Sequence, residues 1–407
     1  MTSPPPQWKP HHKLLFLLTL LLASGGFAQT LYVPLDNRPP NWAPCTWGRV
    51  QCPPAELYRG REGARPLDLS TWLINTPGER LVASLDALAY GGLVQSREVA
   101  LPAAEALARL AVLRAWKGKF GGQVVAFGVI PRHPDAKHRE RNLEVLRALE
   151  GWGLDHVEAP WDDALPGSPA VQEAAALPLP TRPGADESGQ LLLLRTLAPG
   201  LRVRVWYDDP GAAARPTRYE GIPLEDSVRR LLASGGMQAV EERPDLALLV
   251  YTGKDPRQAV LTLLRAGREA PVAVADVAAV NRGDKRLMDY LLGIGRYPHL
   301  ASYASWGTPA NNLGSALAQG GLFLRDLEGR LDRLAESYLQ YLYGEVGRPW
   351  VRRFFAEPLL EGVDVLALGH LREQPLPEFL GDRLELLGVS FPWRRSFEVA
   401  VRFRRVP

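Results

Sequence analysis

Short apolar runs that end in a polar residue recur along this chain, and most of them are followed by a helical pattern. The clearest run is 201–209, LRVRVWYDD, which Pro210 and Gly211 end. Side chains that alternate in this way point to opposite faces of a strand, so the run predicts a β-strand with two carboxylates at its end. Strands that alternate with helices pair in parallel through crossovers, and the chain is therefore predicted to have an α/β fold.

The number of these runs predicts the architecture. Eight units in about 280 residues match the size of a (β/α)8 barrel, and polar residues close nearly every strand, as the ring of strand ends in a barrel requires. We therefore predict a (β/α)8-barrel-like domain over residues 29–320. An open doubly wound parallel sheet, with its ligand site beside one switch point, is the alternative. The strand candidates lie at 31–36, 80–88, 123–130, 154–158, 201–209, 245–252, 271–275 and 300–305.

Residues 321–407 differ from this repeating pattern. A long amphipathic helix is predicted near residues 322–343, and Phe397–Arg402 alternates as a strand does. This part is predicted to form a C-terminal helical extension with a terminal strand.

The first 28 residues have the features of a signal peptide. Lys9 and Lys13 precede an apolar run, and small residues follow it up to Ala28. The run is about 10 residues long, too short to span a bilayer, although an uncleaved N-terminal anchor is the alternative. Since no later stretch is long and apolar enough either, the mature protein is predicted to be exported, with no stable membrane span.

The charge balance gives no reason to expect a polyanionic partner. Cleavage after residue 28 would remove two lysines and leave 46 basic against 45 acidic residues. No nucleic-acid partner is predicted from so small an excess. The chain also has no G-x-S-x-G elbow, no P-loop and no G-x-G-x-x-G motif. Serine-hydrolase, nucleotide and dinucleotide chemistry are therefore not expected, and no cofactor is predicted.

Cys45 and Cys52 are the only two cysteines, and they lie close together in a Pro-rich stretch. In an exported protein such a pair predicts one disulfide bond. A zinc site is the alternative, but it would need two more ligands and no histidine lies nearby.

The predicted catalytic residues are Asp208 and Asp209. Two carboxylates at a strand end supply a general acid and a charge-stabilising or orienting partner, the pair that glycoside hydrolysis uses. Adjacent residues on a regular strand face opposite ways, so both reach one site only if the strand frays before Pro210. In the alternative, one aspartate is a buried cap and the other is solvated.

The predicted substrate-binding residues are polar or aromatic and follow the strands. Carboxylates, amides and guanidinium forks bind hydroxyl groups, and aromatic faces stack on sugar rings. Each residue also has a structural alternative: an ion pair, a loop cap, an N-cap or a core tryptophan. The set is Asp36, Arg38, Asp86, Arg132, Asp276, Tyr303, Trp306, Asn311 and Asn312.

Two further clusters are open to a different interpretation. His133 and His138 could serve a metal-dependent hydrolase together with the strand-end acids, but they are five residues apart and do not share the i, i+4 face of a helical zinc pair. Asp186 and Glu187 are predicted to form the acidic first turn of a helix, and a role in the site is the alternative. No metal site is therefore predicted.

A set of short motifs resembles the bacterial family known as domain of unknown function 4127. The resemblance covers most of residues 31–320, and it implies one recurring architecture without supplying an activity or catalytic residues. The motifs are Tyr32–Asp36 with Arg38-Pro39, Ser84–Asp86, Tyr90–Leu93, Ser96-Arg97, Gly184–Glu187, Tyr207–Asp209, Tyr219–Gly221, Ala275–Val277 with Asn281, and Tyr303–Thr308 with Asn311–Gly314.

The chain departs from the family pattern at two places. The family usually has Asn-Thr after the tryptophan, where this chain has Gly307-Thr308, and usually has Asn-Gly where this chain has Asn281-Arg282. If the family's asparagine at the position of Gly307 binds a ligand, that role is in doubt in this chain.

These observations together predict an exported, glycosidase-like hydrolase that acts on a glycan or a related polar small compound by paired-carboxylate acid–base chemistry. A metal-dependent hydrolase that uses His133 is one alternative. A non-catalytic envelope protein that binds sugar with the same aromatic and aspartate positions is the other.

Overall fold

The computed structural model describes residues 29–134, 136–355, 360, 362–380 and 384–405. The predicted signal peptide, residues 1–28, lies outside the described residues. Within them no helix is both long and apolar enough to cross a bilayer.

The strands form two parallel five-stranded sheets. The first sheet has the order β1-β2-β3-β4-β5, and the second has the order β10-β9-β8-β6-β7. The first contains β1 (Thr30–Val33), β2 (Arg80–Ser84), β3 (Gln123–Phe127), β4 (His156–Trp161) and β5 (Thr181–Pro183). The second contains β6 (Arg202–Tyr207), β7 (Gln238–Ala239), β8 (Leu246–Tyr251), β9 (Val272–Asp276) and β10 (Ser302–Ala304).

Helices connect most of these strands, as the alternating pattern predicts. In the first half they are α1 (Pro39–Trp42), α2 (Pro66–Asn75), α3 (Leu85–Ala89), α4 (Leu93–Glu98), α5 (Ala103–Phe120), α6 (Arg139–Ala148), α7 (Ala170–Ala175) and α8 (Ser188–Leu197). In the second half they are α9 (Leu224–Ser234), α10 (Pro256–Ala266), α11 (Lys285–Gly293), α12 (Pro309–Leu322), α13 (Leu327–Leu342), α14 (Arg348–Phe354) and α15 (Val363–Arg372).

The α/β prediction is confirmed, but a closed barrel is not found. Among the described residues no strand pairing joins the two sheets. The reason is that α8 and α12 lie between them: α8 packs on β2 and β3, α12 packs on β8, β9 and β10, and the two helices pack on each other. A barrel interior is filled by strand side chains alone, whereas this middle core combines both sheets with helical leucines.

The middle layer is tightly packed because small residues let the helices approach. A side-chain carbon added at Gly189 in α8 would clash with the ring of Tyr32 in β1, and one added at Gly314 in α12 would clash with Glu187. The outer face of each sheet is covered by a separate apolar core: α2, α5 and α6 on the first sheet, and α10, α11 and α13 on the second.

The C-terminal part returns to the strand ends. Strands β11 (Leu384–Ser390) and β12 (Ala400–Arg405) form an antiparallel pair. The segment between them, residues 391–399, covers the loop after β1, where Trp393 donates a hydrogen bond to Asn37 Oδ1 at 3.0 Å. Its Phe397 carbonyl accepts from the Trp306 indole at 3.2 Å. This segment, which we call the C-terminal cover (391–399), therefore closes one side of the space between β1 and β10.

The Cys45–Cys52 disulfide predicted from the sequence is present. Replacing both cysteines by serine is expected to lower the free energy of unfolding by about 2–3 kcal/mol, because the short closed loop restricts the unfolded chain. Denaturant unfolding of the oxidised protein and of the variant measures this, and reduced wild type serves as the matched control. Two freely alkylated thiols in non-reduced protein would contradict the bond.

Candidate functional site

A cavity lies where β1 and β10, the outer strands of their sheets, reach their carboxyl ends. Its volume is about 90 Å³. Its polar and aromatic lining consists of Arg38, Asp186, Gln190, Asn281, Tyr303, Ser305, Trp306, Asn311, Asn312, Ser315, Gln319, Glu336, Ser337, Gln340, Phe397 and Glu398.

Residues far apart in the chain form this lining. Arg38 precedes α1 in the loop after β1, and Asp186 lies in the turn that leads into α8. Asn311 and Asn312 lie in the first turn of α12, while Glu398 comes from the C-terminal cover. The site therefore forms only when the two sheets, the middle helices and the end of the chain are assembled.

Arg38 is at the centre of a buried ion cluster. Its Nη2 lies 2.8 Å from Asp36 and 2.6 Å from Asp186, and its Nη1 donates to Asp186 at 3.1 Å. Its Nε donates to both oxygens of Asp36 at 3.0 and 3.1 Å, and its guanidinium carbon lies 4.7 Å from the Trp393 ring centroid. The guanidinium therefore contacts two carboxylates and one aromatic ring, and Asp36 fixes its position.

Glu398 is the second carboxylate in this wall. It is 4 % exposed, and Arg395 donates to both of its oxygens. Burial raises the pKa of Glu398, and the charge of Asp186 contributes in the same direction, although Arg395 and Arg38 oppose it. Asp186 and Glu398 thus line one cavity although they are far apart in the sequence.

Asp276 lies beneath the cavity wall and does not line it. Its Oδ2 accepts from the Asp284 N–H at 2.7 Å and from the Tyr303 hydroxyl at 2.9 Å. Burial raises the pKa of Asp276 to about 6 against the effect of these donors. Its carbonyl accepts from Asn312 Nδ2 at 2.7 Å. Asp276 therefore positions two lining residues, Tyr303 and Asn312, whose place at the site the sequence predicted.

Trp306 and Asn311, two of the residues predicted to bind substrate, also line the cavity, and their surroundings differ. Trp306 packs against Phe397, with ring centroids 5.9 Å apart, and against Tyr343 at 6.4 Å. It therefore both faces the cavity and anchors the C-terminal cover. The side-chain oxygen of Asn311 is buried without a hydrogen-bond partner among the described residues, so it is an acceptor that a ligand hydroxyl or amine can satisfy.

Asp208 and Asp209 are placed outside this lining. Asp208 Oδ1 accepts from the backbone N–H and the hydroxyl of Thr252 at 2.7 and 2.8 Å. Asp209 accepts from Lys254 at 3.1 Å and from Arg215 at 2.9 Å, and it caps the short helix that begins at Pro210. The hydrogen bond from Lys254 lowers the pKa of Asp209. The two carboxylates thus have separate partners, and their catalytic role stays a prediction.

Asp86 and Arg132 likewise do not line the cavity. The second predicted strand ends early at Ser84, whose side chain caps α3, so Asp86 lies in the first helical turn and not at a strand end. Its Oδ2 accepts from the Val129 N–H at 2.8 Å, and burial raises its pKa to about 7. Arg132 lies 3.3 Å from Asp163. Burial raises the pKa of Asp163, and the charge of Asp186 acts in the same direction.

His133 and His138, the histidines of the metal-dependent alternative, do not belong to any group of metal-binding side chains among the described residues. Within the described ranges no three side chains of the types His, Cys, Asp and Glu are grouped so that they could hold a metal ion. His133 and His138 therefore have no candidate metal site in that part of the chain.

A second buried ion cluster forms around Arg182 and includes Glu187, the residue that follows Asp186. Arg182 is 1 % exposed, and it lies 2.8 Å from Glu158 and 2.5 Å from Glu187. Burial alone would raise the pKa of Glu158, but Arg182 and His156 hold it at about 2. Burial raises the pKa of Glu187 to about 8, and the charges of Asp186 and Glu158 add to this. One guanidinium is thus shared between an ionised and a protonated carboxyl group.

This sharing predicts a pH-dependent stability. Because the folded-state pKa of Glu187 is raised, its contribution is complete below its ordinary value of 4.5 and is lost as the pH rises through about 8. The loss amounts to about 1.4 kcal/mol of unfolding free energy per pH unit between the two pKa values. The melting temperature of Glu187→Gln is expected to fall less than that of wild type as the pH rises from about 5 to about 8, the interval between the two pKa values. Equal slopes for both proteins would contradict the assignment.

Several lining residues were missed by sequence reasoning: Asp186, Gln190, Asn281, Gln319, Glu336, Gln340 and Glu398. For Asp186 a signal existed, because the Gly184–Glu187 run is one of the motifs that carry the family resemblance. Asn281 has a left-handed φ of 57°, a conformation that asparagine tolerates, and its N–H donates to the Gly307 carbonyl at 2.9 Å. For Glu398, 212 positions beyond Asp186 in the numbering, no sequence pattern could show the proximity.

Comparisons with known proteins give a family and no activity. No curated protein matches the chain. Among solved structures, the chain is similar to DHDPS from Cyanidioschyzon merolae with lysine bound, at 14% identity and a TM-score of 0.25 over 85% of this chain and 89% of that one. A TM-score this low carries no argument about fold or activity. The family described as protein of unknown function (DUF4127) matches residues 30–150 and 169–402. The chain therefore belongs to the DUF4127 family.

Proposed function

We propose that this protein is an exported hydrolase that acts on a glycan unit or a related hydroxyl-rich small compound by acid–base chemistry. The observation that carries the proposal is the pair Asp186 and Glu398, two carboxyl groups that line one cavity in different environments. Asp186 is bound by the Arg38 guanidinium, whereas burial raises the pKa of Glu398. Carboxyl groups whose environments differ in this way are what an acid and its partner require.

The proposed roles follow from these environments. Glu398 in its protonated form donates a proton to the leaving oxygen of the substrate. Asp186, which the Arg38 guanidinium holds in place, acts as the base for water or as the nucleophile. Asp36 has a positioning role, because it fixes Arg38 and touches no cavity atom itself. This assignment places the carboxylate pair at Asp186 and Glu398 and not at Asp208 and Asp209.

The rest of the lining supports a hydroxyl-rich, uncharged substrate. Amide side chains donate and accept at once, as sugar hydroxyls do, and Trp306 and Phe397 provide aromatic faces. Arg38 is the only cation among the described residues that line the cavity, and its guanidinium is already bound by Asp36 and Asp186. An anionic substrate would therefore find no unneutralised cation here.

Export is part of the proposal. It is supported by the Cys45–Cys52 disulfide, since such bonds persist in oxidising compartments, and by the sequence pattern of residues 1–28.

The non-catalytic alternative, a sugar-binding envelope protein, is favoured by one observation. Six amide side chains among the described residues line the cavity, namely Gln190, Asn281, Asn311, Asn312, Gln319 and Gln340, and binding alone would need no acid–base pair.

A panel of chromogenic glycosides, neutral and uronic-acid types included, tests the proposal. We expect wild type to turn over at least one of these glycosides. An Asp186→Asn preparation purified in the same way should not. Calorimetric binding of the same sugars without turnover would support the sugar-binding alternative. Neither binding nor turnover of any sugar would overturn both.

A further inference from the structure

A second cleft, rich in arginine, lies at the edge of the first sheet. It has a volume of about 370 Å³ and shares no lining residue with the cavity described above. It is bounded by the beginnings of β4 and β5 and by α9, and four arginines line it: Arg182, Arg195, Arg229 and Arg230.

Three of these guanidinium groups donate hydrogen bonds to the end of α9 or to the start of β5. Arg195 donates to the Ser234 and Ala233 carbonyls at 3.3 and 3.0 Å, at the end of α9. Arg182 donates to the Ser234 hydroxyl at 3.0 Å. Arg230 donates to the carbonyl and the hydroxyl of Thr181, at 3.0 and 3.2 Å, one residue before Arg182. The last turn of α9 and the start of β5 therefore hold these cations side by side.

The cleft keeps positive charge that its own acids do not neutralise. Glu158 is the only carboxylate among the described residues that line it, and Arg182 and His156 already bind it, at 2.8 and 3.5 Å. Arg195 and Arg230 donate to uncharged oxygens in the contacts given above. The Arg230 Nε is buried without a hydrogen-bond partner in the described part of the chain. Buried donors of this kind are normally satisfied, so the hydrogen bonds of this guanidinium within the chain are incomplete.

Arg229 adds a further cation at the mouth of the cleft. It pairs with Asp226 at 2.7 Å, but its side chain is 69% exposed. Such exposed pairs contribute little and exchange readily with other partners.

We propose that this cleft binds a phosphate group, either free or carried by a lipid or a sugar. The planar guanidinium fork matches the oxygens of phosphate with two parallel hydrogen bonds, which makes arginine the preferred side chain for such groups. Arg195 and Arg230 hold the group, the Thr181 hydroxyl donates to it, and Arg229 closes over it from the surface.

Calorimetric titration with inorganic phosphate at constant ionic strength tests the site. The double variant Arg195→Gln/Arg230→Gln is expected to raise the Kd at least about tenfold, because two charge-assisted contacts are lost. The matched control, Arg265→Gln/Arg268→Gln, changes two exposed arginines at the end of α10 and should leave the Kd unchanged. No phosphate binding by wild type, or the same Kd in the double variant, overturns the proposal.

Two further arms keep the test decisive. If circular dichroism shows that the glutamine double variant does not fold, Arg195→Lys/Arg230→Lys replaces it. This variant keeps both charges but removes the planar guanidinium groups, so it should raise the Kd for phosphate severalfold. An unchanged Kd would overturn the proposal that the guanidinium groups bind phosphate. Co-sedimentation with phosphatidylcholine vesicles, with and without phosphatidylglycerol, separates the sources. Binding that requires the anionic lipid and is displaced by phosphate assigns a headgroup, whereas phosphate binding without vesicle binding assigns a soluble phosphate.

Discussion

Asp186→Asn and Glu398→Gln are each expected to lower kcat by a factor of about 10²–10⁴, the usual loss when a general acid or base is removed. Both substitutions keep the size of the side chain and remove its ability to ionise. Because the two groups act on one substrate, the double variant should lose far less than the product of the single losses. Steady-state kinetics on the substrate found in the glycoside panel provide the measurement.

The pH profile distinguishes the two roles. The reaction needs Glu398 protonated, so wild-type activity should fall as the pH rises through the raised pKa of this group. Glu398→Gln should lose that basic limb and should retain activity on substrates whose leaving group needs no proton. Asp186→Asn should keep that basic limb at a lowered kcat, because Glu398 is still present.

The pair predicted from the sequence provides the comparison. Asp208→Asn and Asp209→Asn are expected to retain more than a tenth of wild-type kcat, since their carboxylates bind Thr252, Lys254 and Arg215 outside the cavity lining. If these two variants lose activity and the Asp186 and Glu398 variants retain it, the proposed pair is wrong and the sequence-based pair is restored.

Arg182→Met is expected to cost about 3–5 kcal/mol of unfolding free energy, the largest stability effect we predict. The substitution keeps an unbranched apolar stem of similar length and leaves Glu158 and Glu187 without their shared cation. Both carboxyl groups are 0–1 % exposed, so water cannot replace the guanidinium. Denaturant unfolding with both proteins at the same pH measures the change.

Removing the orphaned charge of Glu158 tests the cause of this loss. Adding Glu158→Gln to the Arg182→Met background should recover part of the lost stability, because a neutral amide costs less to bury than an unpaired carboxylate, whereas Glu187 is already protonated below about pH 8. A variant Arg182→Met within about 1 kcal/mol of wild type, the range of an ordinary surface change, would show that the cluster is not electrostatically important.

Much of the chain's local structure could be predicted from its sequence. The run 201–209 is strand β6 at Arg202–Tyr207, and the weak run at 154–158 is β4 at His156–Trp161. Other elements differ from the predicted strands. Residues 181–183 form β5, which is not among the predicted strands, since three residues are too few to show a period of two. The second strand ends at Ser84, because that hydroxyl caps a helix that the apolar run continues into.

The candidate site was predictable only in part. Tyr303, Trp306, Asn311 and Asn312 were found because they cluster in one short stretch after a strand, and Arg38 because it follows another. Asp208 and Asp209 have the same local pattern, yet their partners lie in the loop after β8, a contact that no spacing along the chain records.

The sequence by itself determined the alternation of strands and helices, the parallel sheets, the disulfide and the family, because period, turn residues and short motifs are local properties of a chain. The tertiary structure decided that α8 and α12 separate two sheets where a closed barrel was expected, because packing between helices depends on which faces meet. It also decided which carboxylates share a cavity. Asp186 and Glu398 come together only because the C-terminal cover returns to the end of β1, and long-range contacts of this kind form through the burial of the whole core.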